Sequence, residues 1–573
     1  MRNSPTAKRR FALSFGSVLA LLASAPAFAQ GLPEIAGSAA GTASREAEQS
    51  RRTQPLPEAP TRVALPQLVE PQLQLDAKQK ILVRSIVVEG DQPLGEAETR
   101  SLVTPYEGRQ LSMADIYELA DKLTNFYRAE GFLVAKTYVP AQDARSGKLR
   151  LKLLVGRLGV VTVKNESLVN DYMVKGTIDR AFADQTYIEK DAIERAMLLV
   201  SDLAGAKTPK ATIAAGAAPG SSDFNFDVPA DRRVTGYAMA DNWGAPSTGR
   251  VRTSAAVSVN SPLGIGDRFD LYGLMAGSEG LLNWRAAYSL PVLATGARAE
   301  IAAFRTTYVL GEPYTALAAN GVAEGVSGTI TYPIQRQQDS SLYLSLNGVW
   351  KQLWDIALAT TTANRDIVLG TLALTRETSG MVLGHPLTTS GTLSATVGDV
   401  TYPNPALATA AAGDYVRANF MFTGTLGLID NLTFTLTGKG QTSFGHTLDT
   451  SEQFSVTGAW AVRSFNEGLS GDSGLLATPE LRYQLPEVYG IKHSIGAFYD
   501  YGSGWLAHAD AAGLLPRTIY LQDIGGGYAA SWDWSERRAL FFKAQVAQTV
   551  GSAGVAAKYS RGTAGLFQVG TTF

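Results

Sequence analysis

The chain is 573 residues long, carries 51 Lys and Arg against 52 Asp and Glu, and contains no cysteine. That balance leaves no basic footprint for nucleic acid, and the missing thiols exclude a disulfide framework and any thiolate metal site. The length exceeds one ordinary soluble domain, and a mean hydropathy near zero suits a soluble protein and a set of half-lipid-facing strands equally well.

Residues 1–29 read as an export signal. Arg2, Lys8, Arg9 and Arg10 form a basic start, Phe11 to Ala23 a short apolar core, and Ala27-Phe28-Ala29 a small-x-small cleavage site before Gln30. The apolar run is too short for a membrane anchor, and no later stretch reaches the roughly 20 apolar residues of a spanning helix. The mature chain is therefore expected to be exported and to lack transmembrane helices.

Residues 30–79 form a tail rich in Ala, Pro, Gln and Arg. The segment Thr42 to Thr53 is compatible with a short helix before Pro55, Pro57 and Pro60 break it; a disordered tail is the competing reading. Residues 80–157 read as a compact α+β module. A β-rich run spans Ile81 to Val88. A helix starts at Ser112, an N-cap with Asp115 three residues on, and buries Ile116, Leu119, Ala120, Leu123 and Tyr127. It stops at Gly131, and strands follow over Phe132–Val139 and Leu149–Val155. Residues 158–229 repeat the order β-α-α-β-β, with strand residues Val161 and Val163, a helix through Ile193, Met197 and Val200, and strands near Ala211–Ala214 and Phe224–Val228. This reads as an internal duplication of a module of about 75 residues.

Residues 230–573 alternate apolar and polar side chains with a period of two. Leu342, Leu344, Leu346 and Trp350 share one face, opposite Tyr343, Ser345 and Asn347. Leu432, Phe434 and Leu436 oppose Thr433, Thr435, Thr437 and Lys439; Leu540, Phe542, Ala544 and Val546 oppose Lys543 and Gln545. Segments of about ten residues bounded by turn formers predict tilted strands crossing a bilayer. About sixteen such strands are expected, starting near residues 232, 250, 267, 280, 297, 322, 339, 364, 387, 414, 432, 474, 491, 518, 538 and 563. An even number closes an antiparallel barrel, and sixteen leave a wide lumen. The fold class is thus an all-β transmembrane barrel preceded by two small α+β modules. One connection, residues 444–474, runs for about thirty residues without clear alternation, a length that in compact proteins marks function or disorder.

Parity places individual residues. On the strand from 491, Ile491, His493, Ile495, Ala497, Tyr499 and Tyr501 form the more apolar face, so Phe498, Asp500 and Gly502 point into the lumen. On the strand before it, Glu480 and Arg482 also face inward.

These features carry a family resemblance that covers essentially the whole mature chain. Tyr127-(x)3-Gly131-Phe132 and Val139-Pro140-Ala141-Gln142 in the first module, and Leu203-Ala204-Gly205 and Pro219-Gly220 in the second, resemble POTRA domains, with Ala204 departing from the usual Pro. Asp241-Asn242-Trp243-Gly244, Thr248-Gly249-Arg250 and Ser261-Pro262-Leu263-Gly264-Ile265-Gly266-Asp267 match the start of the barrel. In the long loop, Ser451-Glu452-Gln453-Phe454, Val462-Arg463-Ser464-Phe465 and Gly471-Asp472-Ser473-Gly474 follow in order, and Phe498-Tyr499-Asp500-Tyr501-Gly502 is a second barrel signature. Together they resemble the TpsB transporters of two-partner secretion, the haemolysin secretion/activation group of the POTRA-barrel superfamily. The resemblance implies a Gram-negative outer-membrane protein with its POTRA domains in the periplasm. Its implied partners are outer-membrane lipid and a large secreted client exoprotein, a haemagglutinin, haemolysin or adhesin, bound by those domains. It also implies a loop tip, normally Val-Arg-Gly-Tyr/Phe, folded back into the barrel, with client folding outside as the drive. Residues 42–53 would correspond to an N-terminal helix occupying the pore. Ser464 stands where the family has Gly, which puts the tip's backbone in question if it needs positive φ.

Arg463 is then expected to pair with Asp500, with Glu480 as the second candidate, since a guanidinium can grip a carboxylate bidentately. The competing reading leaves Arg463 in a solvated surface loop. No cofactor and no metal are expected: the four histidines, His385, His446, His493 and His508, share no metal-binding spacing, and no serine elbow or dinucleotide fingerprint points to an enzyme. The glycines at 525–527 read as close packing or bends within a strand. A monomer is the working expectation. Rival readings are a barrel-assembly factor of the same superfamily and a passive porin, the latter having no need of residues 80–228.

Overall fold

The computed structural model describes residues 38–52, 80–143, 146–218, 220–277, 280–466, 468–508, 517–535, 538–551 and 560–573. The export signal, the Pro-rich linker after Arg52 and Pro219 of the Pro219-Gly220 turn lie outside the described residues. Helix α1 (Ala39–Arg52) comes first among the described residues but packs inside the barrel.

The first module holds β1 (Lys80–Val83), β2 (Ser85–Gly90), α2 (Glu96–Val103), β3 (Arg109–Ser112), α3 (Met113–Ala129), β4 (Ala135–Tyr138) and β5 (Lys148–Val155). The single strand expected over Ile81–Val88 is two. β1 pairs antiparallel with β3 and β2 pairs parallel with β5. The switch falls at Arg84, whose N–H, like that of Ser85, donates to the Gly147 carbonyl instead of continuing one ladder. The strand expected from Phe132 shortens to β4 because Phe132 opens a turn, its carbonyl accepting from Ala135 N. α3 begins as its sequence dictates. The Ser112 hydroxyl accepts from Asp115 N at 3.2 Å, and the Asp115 carboxylate accepts from Ser112 N at 2.7 Å. Those bonds hold the Asp115 carboxyl below its ordinary range. Ile116, Leu119, Leu123 and Tyr127 are fully buried, and Gly131 takes the positive φ, +100°, that ends the helix.

The second module has the β-α-α-β-β order alone, without counterparts of β1 and β3 among the described residues: β6 (Arg157–Asn165), α4 (Asp171–Phe182), α5 (Lys190–Ser201), β7 (Lys210–Ala215) and β8 (Ser221–Val228). Each module contains a three-stranded sheet covered by helices, ordered β2-β5-β4 in the first, beside the β1-β3 pair, and β6-β8-β7 in the second, with a parallel pair and an antiparallel pair.

The barrel strands are β9 (Val234–Asp241), β10 (Arg252–Asn260), β11 (Arg268–Ala276), β12 (Leu281–Val292), β13 (Ala297–Val309), β14 (Asn320–Arg336), β15 (Ser340–Ala357) and β16 (Thr360–Val382). They continue as β17 (His385–Thr401), β18 (Gly413–Ile429), β19 (Leu432–Thr442), β22 (Ser473–Gln484), β23 (Ile491–Trp505), β24 (Thr518–Ser535), β25 (Arg538–Thr549) and β26 (Thr563–Thr572). Two short strands, β20 (Phe454–Ser455) and β21 (Ser470–Gly471), lie in the long loop. Each wall strand pairs antiparallel with its neighbour, and β26 closes on β9 from Gln568↔Asp241 to Thr572↔Tyr237. The barrel therefore closes with sixteen strands. The largest offset from the expected starts is at β16, near 364 by pattern and at Thr360 in the fold.

Strand length is the larger correction. β16 is 23 residues long and β15 is 18, well beyond the expected ten or so. On β16 the exposed outer face is apolar at Val368, Leu372 and Leu374 in mid-strand and again at its last residue, Val382. Thr360 to Asp366 at one end and Arg376 to Thr378 at the other are polar, so the strand runs on past the lipid at both ends. Alternation of apolar and polar residues marks only the lipid-crossing part of a strand.

The chain enters β9 from the second module, so the turns after β10, β12, β14, β16, β18 and β22 lie on the module side. The two bodies are joined there. Arg336 donates to both Asp202 carboxylate oxygens, at 2.9 and 2.8 Å, and Arg298 donates to the Asp202 carbonyl at 3.2 Å. Ile265 and Ala294 of the module-side turns pack on the second module's core. Replacing Arg336 with Ala removes a half-buried bidentate pair. The expected result is faster amide hydrogen exchange at the end of α5 with barrel amides unchanged. Unchanged exchange in α5 would show that the apolar contacts alone set the junction.

Candidate functional site

The loop of residues 443–472 leaves the far end of β19 and folds back into the lumen before β22. Its tip, Val462 to Phe465, is wholly inside. Val462 and Phe465 are buried among Val456, Leu469, Leu476, Ile519 and Leu521, and Ser464 is 0% exposed. The solvated-loop reading of Arg463 is thereby excluded.

Arg463 meets the inner face of β23. Its Nε lies 3.2 Å from Asp500 Oδ2, and its guanidinium sits 3.7 Å from the centroid of the Phe498 ring. The contact to Asp500 is through one nitrogen, not the bidentate fork. Thr478 donates to the other Asp500 oxygen at 2.7 Å. The Arg463 and Asp500 side chains are 12% and 1% exposed, so the pair is shielded from water on both sides. A cation over an aromatic face in such a desolvated site adds on the order of 2 kcal/mol.

The other members of the barrel signature serve the same contact. At Gly502 a Cβ would lie 2.7 Å from Val462 Cγ2 and 3.1 Å from Leu476 Cδ2, so only glycine lets the loop seat against the wall. Gly525 of β24 makes room in turn for Phe498, whose Cζ would lie 2.2 Å from a Cβ there. Of the two readings of the glycine run at 525–527, close packing is the one seen at Gly525. Each residue of Phe498, Asp500 and Gly502 thus touches a named residue of the loop tip.

Two expectations change. Ser464 keeps a negative φ, so the tip does not require glycine's conformational freedom. Its N–H donates to Asp523 at 2.7 Å, its carbonyl accepts from Arg561 N at 2.9 Å, and its hydroxyl accepts from Thr549 at 3.0 Å. Serine has a use here that glycine would lack. Glu480, the second candidate partner, faces inward as parity requires but pairs with Arg482 at 2.5 Å instead of Arg463.

A second set of contacts, at the base of the loop, was not foreseen. Arg365 bridges Asp449 of the loop and Asp355 of β15, the latter at 2.9 Å. Glu452 pairs with Lys351 and, at 2.7 Å, with Arg417. Helix α1 joins this cluster. Ala40 N donates to Asp355 at 2.9 Å, and Thr450 Oγ1 donates to the Ser38 carbonyl at 3.0 Å. Arg45 donates to the carbonyls of Thr450 and Gln453. At the other end of the helix Arg252, itself held by Asp241 at 2.8 Å, donates to Glu46 at 3.0 Å and Ser50 at 2.9 Å. Inner-face charges on β10, β15, β16 and β18 were visible by parity, but nothing in a linear pattern says which loop residue each one meets. Among the described residues, no group of three or more His, Asp or Glu is placed to hold a metal ion.

Comparisons with known proteins agree with this architecture. A family model described as haemolysin secretion/activation protein ShlB/FhaC/HecB matches residues 220–519, and a ShlB-type POTRA domain model matches residues 81–156. The chain is 25% identical over 443 residues to the heme/hemopexin transporter protein HuxB of Haemophilus influenzae (strain 86-028NP), covering 76% of this chain and 78% of that protein. It is 27% identical over 248 residues to the outer membrane transporter CdiB-2 of Burkholderia pseudomallei, covering 42% and 40%. The fold is shared with CdiB from Escherichia coli at TM-score 0.66 and 18% identity, covering 92% of this chain and 95% of that one. CdiB from Acinetobacter baumannii aligns at TM-score 0.62 and 15% identity, covering 92% and 96%.

The packing at Gly502 gives a paired test. Gly502→Ala forces its new methyl into Val462 and is expected to weaken seating of the loop by about 1–3 kcal/mol. Val462→Ala in the same chain removes the obstructing methyls and should restore it. Limited proteolysis of residues 456–470 reads the outcome; equal cleavage of wild type and Gly502→Ala would refute the contact.

Proposed function

The chain belongs to the haemolysin secretion/activation family, and from that membership we propose that it takes a large exported protein from the periplasm and passes it through the outer membrane to the cell surface. The observation that carries this reading is the content of the lumen. A sixteen-stranded wall alone would be an open pore, yet here one helix and one long loop of the same chain fill it, while two small domains stand at one mouth. A passive porin needs neither arrangement.

Each part then has a role. The two modules capture an unfolded client. Their sheets end in edge strands, β7 being mostly exposed, and an extended segment can add to such an edge with main-chain hydrogen bonds supplying affinity. Helix α1 plugs the lumen at rest. The loop braces it, with Val462, Arg463, Ser464 and Phe465 as the movable side of the contact and Phe498, Asp500 and Gly502 as the fixed side. Opening requires the helix to leave and the loop to shift. Folding of the client outside gives the movement its direction, and no nucleotide or cofactor is involved.

Co-expression with a large exported client, measuring its release into the medium, tests the reading. Wild type should release the client; a client left inserted in the outer membrane would instead mark an assembly factor. Arg463→Ala and Asp500→Ala should each lower release roughly ten-fold or more with the barrel still inserted, because removing one partner strands a buried charge at a cost of several kcal/mol. Normal release by both variants would overturn the brace. Deleting residues 39–52 should raise single-channel conductance several-fold in planar bilayers. Unchanged conductance would mean that α1 is not the plug.

A further inference from the structure

Between the loop tip and the inner faces of β19, β22 and β25 lies a cavity of about 170 Å³. Its lining is unbalanced. Lys439 and Lys543 both border it, and neither ammonium has a hydrogen-bond or ion-pair partner among the described residues; Lys543 meets only the ring of Trp243, at 5.6 Å. Three further donors on lining residues, Trp243 Nε1, Trp460 Nε1 and Arg463 Nη1, are buried without an acceptor. The two indoles stand edge to face with centroids 4.8 Å apart, which fixes the direction of their N–H bonds. The lining carboxylate, Glu480, is already engaged by Arg482 at 2.5 Å.

Five donor groups, three of them cationic, thus line one small space in which the only carboxylate among the described residues, Glu480, is bound through one oxygen by Arg482, and the other side-chain acceptors are neutral, from Gln545, Thr435, Thr437 and Thr478. Buried donors left without partners are costly, so a site of this kind is complementary to a ligand made of acceptors. We propose that this cavity is an oxyanion-binding site, with Lys439 and Lys543 supplying the charge and Trp243, Trp460 and Arg463 the directed N–H groups. A carboxylate or a phosphate fits both the charge and the volume; a folded element does not. Two sources supply that chemistry, free phosphate or the acidic side chain of a chain segment in the lumen. Only the second source rests on the translocation reading. An acidic side chain bound there would compete with Asp500 for Arg463, and so would act on the contact that seats the loop.

Isothermal calorimetry on the purified full chain in detergent, at matched ionic strength, tests the site with two probes: inorganic phosphate, and a Glu-rich hexapeptide beside its Gln counterpart. Saturable binding of phosphate or of the Glu peptide, weakened roughly ten-fold or more in the Lys439→Gln/Lys543→Gln double variant, is expected from the loss of two charge-assisted contacts. Binding of phosphate alone assigns the site to a free anion; binding of the Glu peptide but not the Gln peptide assigns it to an acidic segment. Trp460→Phe keeps an aromatic ring and removes one N–H, so it reads the site even where the double variant fails to fold, and it should weaken binding several-fold. Absence of saturable binding by either probe, or unchanged binding in the folded variants, overturns the proposal. Client release is measured separately, so failure of this site leaves the translocation reading standing.

Discussion

A sheet in lipid has no water to satisfy its edge groups, so it must close, and closing with sixteen strands makes a lumen too wide for the wall's own side chains to fill. The rest of this molecule follows from that constraint. The inner face carries Arg252, Lys351, Asp355, Arg365, Arg417, Asp500 and Asp523, charges that need partners or water. Most find partners on elements that are not part of the wall. Glu46 comes from α1, and Asp449, Glu452 and Arg463 come from the loop.

The signs of these pairs matter more than their number. At the base of the loop the wall supplies cations and the loop supplies anions: Arg365 to Asp449, and Lys351 and Arg417 to Glu452. At the tip the wall supplies the anion Asp500 and the loop the cation Arg463. A loop slid along the lumen would set like charges against each other. Buried ion pairs add little net stability over well-packed apolar groups, since desolvation offsets the attraction, but they penalise every wrong arrangement. The pattern therefore specifies where the loop sits, while Val462, Phe465 and their apolar neighbours supply the burial that keeps it there.

Much of this was legible in the sequence because β-structure writes its orientation into parity. Phe498, Asp500 and Gly502 fall on one face of β23 whatever the rest of the chain does, and the break in alternation near residue 444 could only be a long connection. The α3 capping box was legible for the same local reason, Ser112 and Asp115 being three residues apart. What escaped was non-local. The turn of Ser464 toward Thr549 and the meeting of Arg365 with Asp449 depend on how the loop enters the lumen, across separations of 85 and 84 residues. Parity gives a side chain's direction, not the partner waiting there. The split between β1 and β2 escaped because Arg84 changes its ladder partner without any change in composition.

Helix α1 shows how a lumen element can be held firmly and still be separable. The residues it buries are Ala39, Ala40, Gly41, Ala43 and Ala47, with Glu46 and Ser50. Small side chains bring the backbone close: at Gly41 a Cβ would lie 2.3 Å from Thr450 Oγ1. They also bury little apolar area, so the helix is held chiefly by directed polar bonds, at about 1 kcal/mol net each and somewhat more where charged. One of those bonds reaches a shared group. Asp355 accepts from Ala40 N on the helix, from the Tyr308 hydroxyl at 2.5 Å, and from Arg365, which in turn grips Asp449 of the loop. Withdrawing the helix removes a donor from that carboxylate and changes the field around the arginine that anchors the loop base. Asp355 thus ties the helix and the loop to one point on the wall, and movement of either alters what holds the other.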